Sequence, residues 1–233
     1  MKINAAQISK SSLNFLKALS ENNNRQWFNE NKNRYILAQQ NLIDFTDTLI
    51  TEMNKHDVLE NTSGKKTLYR IYSDVRFSKD KSPYNPRFAF SLQRATKLRR
   101  GGYYMHIKPG NTYLACGFFA PNPEDLKRIR VDIEHNHKAW NKILNKKSIK
   151  ENFGAMRGDK VLTAPKGFSI EHPAIELLRH KQFYFRHDFN DNEVTADDFL
   201  LKTNLLFKSI RTFFDYMSDV LTTNANGEPL HNI

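Results

Sequence analysis

Apolar residues recur at helical spacing near both ends of the chain and at strand spacing between them. A short helix is predicted from Ser12 to about Ser20, and a long one behind the Asn22-Asn23-Asn24 break with Asn24 as its N-cap. Trp27, Tyr35, Ala38, Leu42, Phe45, Leu49 and Met53 then follow mostly three and four residues apart, which is one buried helix face. After a loop over 61–66 the period falls to two. Phe88, Phe90 and Leu92 alternate with Arg87, Ala89, Ser91 and Gln93, while Tyr103, Met105 and Ile107 alternate with Tyr104, His106 and Lys108. These are strands with one apolar and one polar face. Residues 68–72 read as a further strand and 112–119 as another.

Lys108-Pro109-Gly110-Asn111 has Pro and Gly at the centre of a β-turn, so 102–108 and 112–119 should form a hairpin. With the turn centred on Pro109-Gly110, His106 lies opposite Tyr113 and Tyr104 opposite Ala115. Asn122-Pro123-Glu124-Asp125 opens a helix with a capping Asn, Pro at the first position and acids near the positive end of the dipole. A short helix at 173–180, a strand at 182–189 and one final helix from Thr195 through Val220 complete the prediction. The fold class expected is α+β: an antiparallel meander of about four to six strands, with helices packed mainly on one face. One α+β domain over 1–221 and a polar, frayed tail over 222–233 are expected.

Composition sharpens this picture. Hydrophobic residues make up 39% and charged residues 26% of the 233, which excludes a disordered or low-complexity chain. No apolar run reaches the ~20 residues of a membrane helix, the N-terminal stretch lacks a signal-peptide core, and Cys116 is the single cysteine. A cytoplasmic protein without membrane association is expected. The net charge of +11 is concentrated: twelve basic residues against Asp74 and Asp80 give Lys65–Lys108 a charge of +10. Such a concentration attracts phosphates, carboxylates or nucleic acid.

Within it, Arg70-Ile71-Tyr72-Ser73-Asp74-Val75-Arg76-Phe77-Ser78-Lys79-Asp80-Lys81-Ser82-Pro83-Tyr84 combines fork-shaped donors, point-charge lysines and two isolated acids. The segment resembles the signature of a bacterial family known only as domain of unknown function 2461. The similarity extends from Asn24-Arg25-Gln26-Trp27-Phe28, through Gly102-Tyr103-Tyr104 and Leu126-x-x-Ile129-Arg130, to His172-Pro173 and Arg179-x-Lys181. Ser73 and Asn85 depart from the pattern, standing where basic residues are frequent. The resemblance implies no activity.

The function expected is therefore binding of an anionic ligand through 65–108. Nucleic acid is the leading partner because Tyr69, Tyr72, Phe77, Tyr84, Phe88, Phe90, Tyr103 and Tyr104 are interleaved with the cations. Arg70, Arg76, Lys79, Asp80, Lys81, Tyr84 and Arg87 are the ligand-binding candidates. The alternatives are an enzyme acting on a small phosphate- or carboxylate-bearing substrate, with Asp74 or His106 transferring protons, or a module docking an acidic protein. His135-Asn136-His137 spells a nuclease motif by letters alone, since residues two apart diverge on a helix. Neither a metal site nor a cofactor is expected, as no nucleotide-loop, serine-hydrolase or zincin pattern occurs.

Overall fold

Side-chain caps mark where the first helices begin. The Ser9 hydroxyl accepts from the Ser12 amide at 3.2 Å to open α1 (Lys10–Glu21), and Asn24 accepts from the Trp27 amide at 2.9 Å to open α2 (Arg25–Glu30). The single long helix predicted behind Asn24 is in fact two. Asn31, at φ −105° and ψ 15°, separates α2 from α3 (Lys32–Met53), at the middle of the one eight-residue interval in the apolar stripe, between Trp27 and Tyr35. The computed structural model describes residues 7–74, 76–77, 79–224 and 228–230.

Where a loop was expected, α4 (Gly64–Thr67) makes one turn, because the Gly64 amide donates to Asp47 at 2.6 Å and the Thr67 hydroxyl to Ser63 O at 2.7 Å. Then come β1 (Phe88–Gln93), β2 (Gly102–Ile107), β3 (Thr112–Phe118), α5 (Pro123–Leu144), α6 (Lys147–Phe153), α7 (Ile175–Leu178) and β4 (Phe183–Phe189), followed by α8 (Asp191–Val194), α9 (Phe199–Ser209) and α10 (Arg211–Thr222). The four strands form an antiparallel sheet in the order β1-β2-β3-β4, so the fold is α+β. Residues 68–72 make no strand, only single bridges from Leu68 to Phe90 and from Tyr72 to Tyr84. The predicted turn forms, with the Asn111 amide on Lys108 O at 2.9 Å and Gly110 at φ 73°.

The C-terminal helix predicted from Thr195 is also divided. A capping box joins Asn190 and Glu193 at the start of α8, and Thr195 ends that helix. Of the expected tail, Thr223 bridges Pro229 and the Asn224 amide donates to Glu228 O, while 225–227 and 231–233 lie outside the described residues. Among the described residues no helix is long and apolar enough to cross a membrane.

The chain forms two compact units. Unit 1 comprises Met1–Gln93, Tyr104–Leu114 and Asp188–Leu205, and unit 2 comprises Arg94–Tyr103, Ala115–His187 and Leu206–Ile233. In unit 1, Phe45 stacks on Phe199 at 5.7 Å, and Tyr35 lies between Phe28 and Phe88. In unit 2, Phe213 meets Phe118, Trp140 and Phe185 edge-on, with ring centroids 5.2–6.1 Å apart. Each fully buried ring of this kind contributes about 1.5–3 kcal/mol. Gly117 of β3 is held at φ 150°, where an added Cβ would lie 2.3 Å from Phe183 O, so only glycine lets β4 approach.

Candidate functional site

The signature loop of unit 1 stands on a packed base. Residues 70–73 run beside 83–86, with the Ser73 amide on Pro83 O at 3.0 Å and the Asn85 amide on Ile71 O at 2.7 Å. Tyr84 is buried, stacking on Phe28 of α2 at 4.0 Å and meeting Tyr72 at 5.5 Å. Asn23 grips the Tyr84 backbone from both sides, donating to its carbonyl at 2.8 Å and accepting from its amide at 3.2 Å. Of the ligand-binding candidates, Tyr84 is thus the one whose ring is spent on packing.

Both acids of the tip serve the loop itself. Asp74 accepts from Arg76 Nε at 3.0 Å, from Arg76 Nη2 at 2.8 Å and from the Arg76 amide, while Asp80 accepts from the Ser82 amide at 2.8 Å. These are turns in which a carboxylate bonds the backbone two residues on. The Arg76 side chain, then its amide, holds the Asp74 carboxyl below the usual range, and Ser82 does the same for Asp80. A carboxylate so held is a poor proton acceptor, which argues against Asp74 as a general base. Arg70, Arg76, Lys79 and Lys81 are all exposed, as are Lys65 and Lys66 of α4. Phe77 is 96% exposed, with the Arg76 guanidinium 5.9 Å from its ring centre.

A second group of side chains lies on the polar face of the sheet in unit 1. Half-buried Arg87 donates from Nη1 to Tyr104 Oη at 3.3 Å, and that oxygen lies 3.4 Å from His106 Nδ1. His106 is buried and stacks on Tyr113 at 4.7 Å, in the register read from the turn. Tyr69 bonds the Ser91 hydroxyl and lies 6.3 Å from the Tyr104 ring. Burial raises the Tyr104 phenol above its ordinary value, against the pull of Arg87. Sequence reasoning named Arg87 and His106 as candidate residues and counted Tyr69 and Tyr104 among the interleaved aromatics, but did not join them with Tyr113 in one cluster. The turn register had already set Tyr113 opposite His106, whereas nothing local places Tyr69, which reaches this face through the pairing of 68–69 with β1.

Residues 11–216 match the model of a family described as Conserved hypothetical protein (DUF2461). The chain belongs to this family. No curated protein and no solved structure matches it. The family-like segments meet in pairs. In unit 1, the Asn24–Phe28 segment supplies the ring under Tyr84 of the signature. In unit 2, Arg130 reaches the 172–181 segment, donating to Leu178 O at 2.9 Å and to His180 O at 3.2 Å.

Four of the twelve cations belong to unit 2 and are used differently. Arg94 is buried, donating to Asp215 at 2.7 Å and to Arg100 O at 3.1 Å, with its guanidinium over the Phe214 ring. Arg100 pairs with Asp125. The charge that looked continuous in sequence is therefore divided, and two of its arginines are structural.

The remaining candidates in unit 2 also have local partners. His135 donates to Val131 O at 2.8 Å and Asn136 bonds Asp132 at a kink in α5, while His137 lies 5.5 Å from His172. Asp132 accepts further bonds from Trp140 Nε1 and the Tyr216 hydroxyl at 2.7 and 2.6 Å, which fixes the floor of an open groove of 980 Å³ between α5 and α10. Cys116 is buried, and burial pushes its thiol well up, so it is no nucleophile.

Proposed function

We propose that this protein binds nucleic acid, in single-stranded form, through the basic aromatic surface of unit 1. One observation carries the reading. Exposed rings at Tyr72 and Phe77 alternate with exposed cations at Lys65, Lys66, Arg70, Arg76, Lys79 and Lys81, while the two acids are turned onto their own loop. Cations hold phosphates without regard to sequence, and exposed rings stack on unpaired bases. Of the eight aromatics in the segment, Tyr84, Phe88, Phe90 and Tyr103 are buried and take no part. The single buried cysteine is in keeping with action in a reducing cytoplasm.

Charge reversal tests this reading. A double variant, Arg70→Glu with Lys79→Glu, should keep the native melting temperature because both side chains are exposed. It should bind a fluorescein-labelled single strand more than about tenfold more weakly than the native chain. Unchanged binding in a folded double variant would refute the assignment.

A further inference from the structure

The polar face of the sheet in unit 1 has no role in the reading above, which rests on the exposed loop. On this face three phenol rings and one imidazole form a contiguous row, and a single guanidinium, Arg87, meets the row at Tyr104. Tyr69, Tyr104 and Tyr113 follow one another with ring centres 6.3 and 6.0 Å apart, and His106 lies stacked against Tyr113. Arg87 is half-buried, and among the described residues no ion pair includes it. Among the described residues the one hydrogen bond of its guanidinium goes to a neutral phenol at 3.3 Å. A guanidinium carries five donors in a planar fork suited to phosphate or carboxylate, so most of this capacity is unspent.

We propose that this face is the base-binding half of the nucleic-acid site: unpaired bases stack on Tyr69 and its neighbouring rings, and one phosphate sits on Arg87. The inference rests on the reading given above. Charge selects the occupant's sign, since the guanidinium that meets this row, at Tyr104, is Arg87. The rings select its shape, because an acidic peptide would satisfy Arg87 and leave the aromatic row without a planar partner. The two halves are continuous in the chain. The Tyr69 amide is bonded to Ala89 O of β1 at 2.9 Å, and the next residue, Arg70, begins the exposed loop. A strand leaving the face along 69–72 passes Tyr72 and reaches the cations of the tip.

The test compares a labelled single-stranded DNA of about twelve nucleotides with an abasic strand of the same length, which keeps the phosphates and lacks the bases. The native protein should bind the normal strand about 5- to 150-fold more tightly, the range that stacking of one base supplies. Tyr69→Ala should remove most of that preference, Tyr69→Phe should keep it, and Arg87→Gln should weaken both strands. Melting temperatures check that each variant is folded. Failure of the native protein to bind either strand would overturn the inference together with the reading beneath it. If Arg70→Ala and Lys79→Ala weaken binding while Tyr69→Ala and Arg87→Gln leave both strands unaffected, the loop reading stands and the face is excluded.

Discussion

Arg76 and Asp74 face each other fork to carboxylate, with Nε on one oxygen at 3.0 Å and Nη2 on the other at 2.8 Å, and both side chains are in contact with water. Exposed pairs of this kind hold a geometry more than they stabilise a fold. The pair shapes the loop tip and also occupies one edge of a cation that a phosphate would otherwise use.

Two single variants follow from that pair. Arg76→Ala and Asp74→Asn should both melt with the native protein. Asp74→Asn should bind the labelled single strand more tightly, since a competing charge is gone and the Arg76 fork is released, whereas Arg76→Ala should bind it more weakly. A fall in melting temperature for both variants would place the pair in the architecture instead, and calorimetry alone decides this.

The pair of buried Arg94 and exposed Asp215 in unit 2 should behave in the opposite way. The Arg94 side chain is 1% exposed and that of Asp215 56% exposed. Removing Asp215 leaves a desolvated guanidinium, but Arg100 O and Ser218 Oγ remain as acceptors, so Asp215→Ala should cost about 3 kcal/mol, the lower end for such breaks. Arg94→Met removes the buried charge and leaves Asp215 in water, and should cost less. Urea titrations of the two variants give the order, and a larger loss in Arg94→Met would contradict it.

His180 supplies a pH dependence. Burial, then the Lys160 ammonium, holds its imidazole below the ordinary value, with the Gln182 carbonyl and Glu176 pulling the other way. The unfolded chain therefore takes up a proton near pH ~6.5 that the folded chain refuses. The contribution of neutral His180 is complete above that pH and is lost as the pH falls through the folded-state value. Melting temperatures measured from about pH 8 to about pH 5 should fall for the native protein and fall less for His180→Gln. Parallel curves would show that other groups carry the dependence.

Phe213 tests the core of unit 2. It is fully buried and touches rings from β3, α5 and β4. Phe213→Ala should cost about 3–5 kcal/mol, and Phe213→Leu markedly less, in denaturant unfolding.

The hairpin was legible because two signals agreed there: period-two alternation and a Pro-Gly turn whose centre sets the register that pairs His106 with Tyr113. The helix starts at Asn24 and Asn122 were legible from capping chemistry alone. The break at Asn31 was not, since no Pro or Gly marks it and the eight residues from Trp27 to Tyr35 equal two ordinary helical steps, so the skipped position did not shift the phase of the stripe. The last helix was misread because Thr195-x-x-Asp198 imitates a cap, while Thr195 in fact ends the short α8 that the Asn190–Glu193 box opens, and the predicted stretch forms α9 and α10 with a break at Ile210. At the candidate site the residue types were visible, but not their allegiance. Nothing near Arg94 in sequence says that it turns inward, because its carboxylate partner lies 121 residues away. Tyr69 likewise joins Tyr104 only through a bridge that a run from Leu68 to Tyr72 does not predict.

The salt dependence of binding to a single-stranded oligonucleotide tests the central claim most directly. If exposed cations of unit 1 hold phosphates, the native protein should bind at micromolar or lower concentration in about 50 mM salt, and the log–log slope against salt should be about −0.7 for each phosphate engaged. Three or more contacts would give a slope of about −2 or steeper, reduced by about 0.7 for each cation removed. No binding in about 50 mM salt, or binding with a flat salt dependence, would contradict the account.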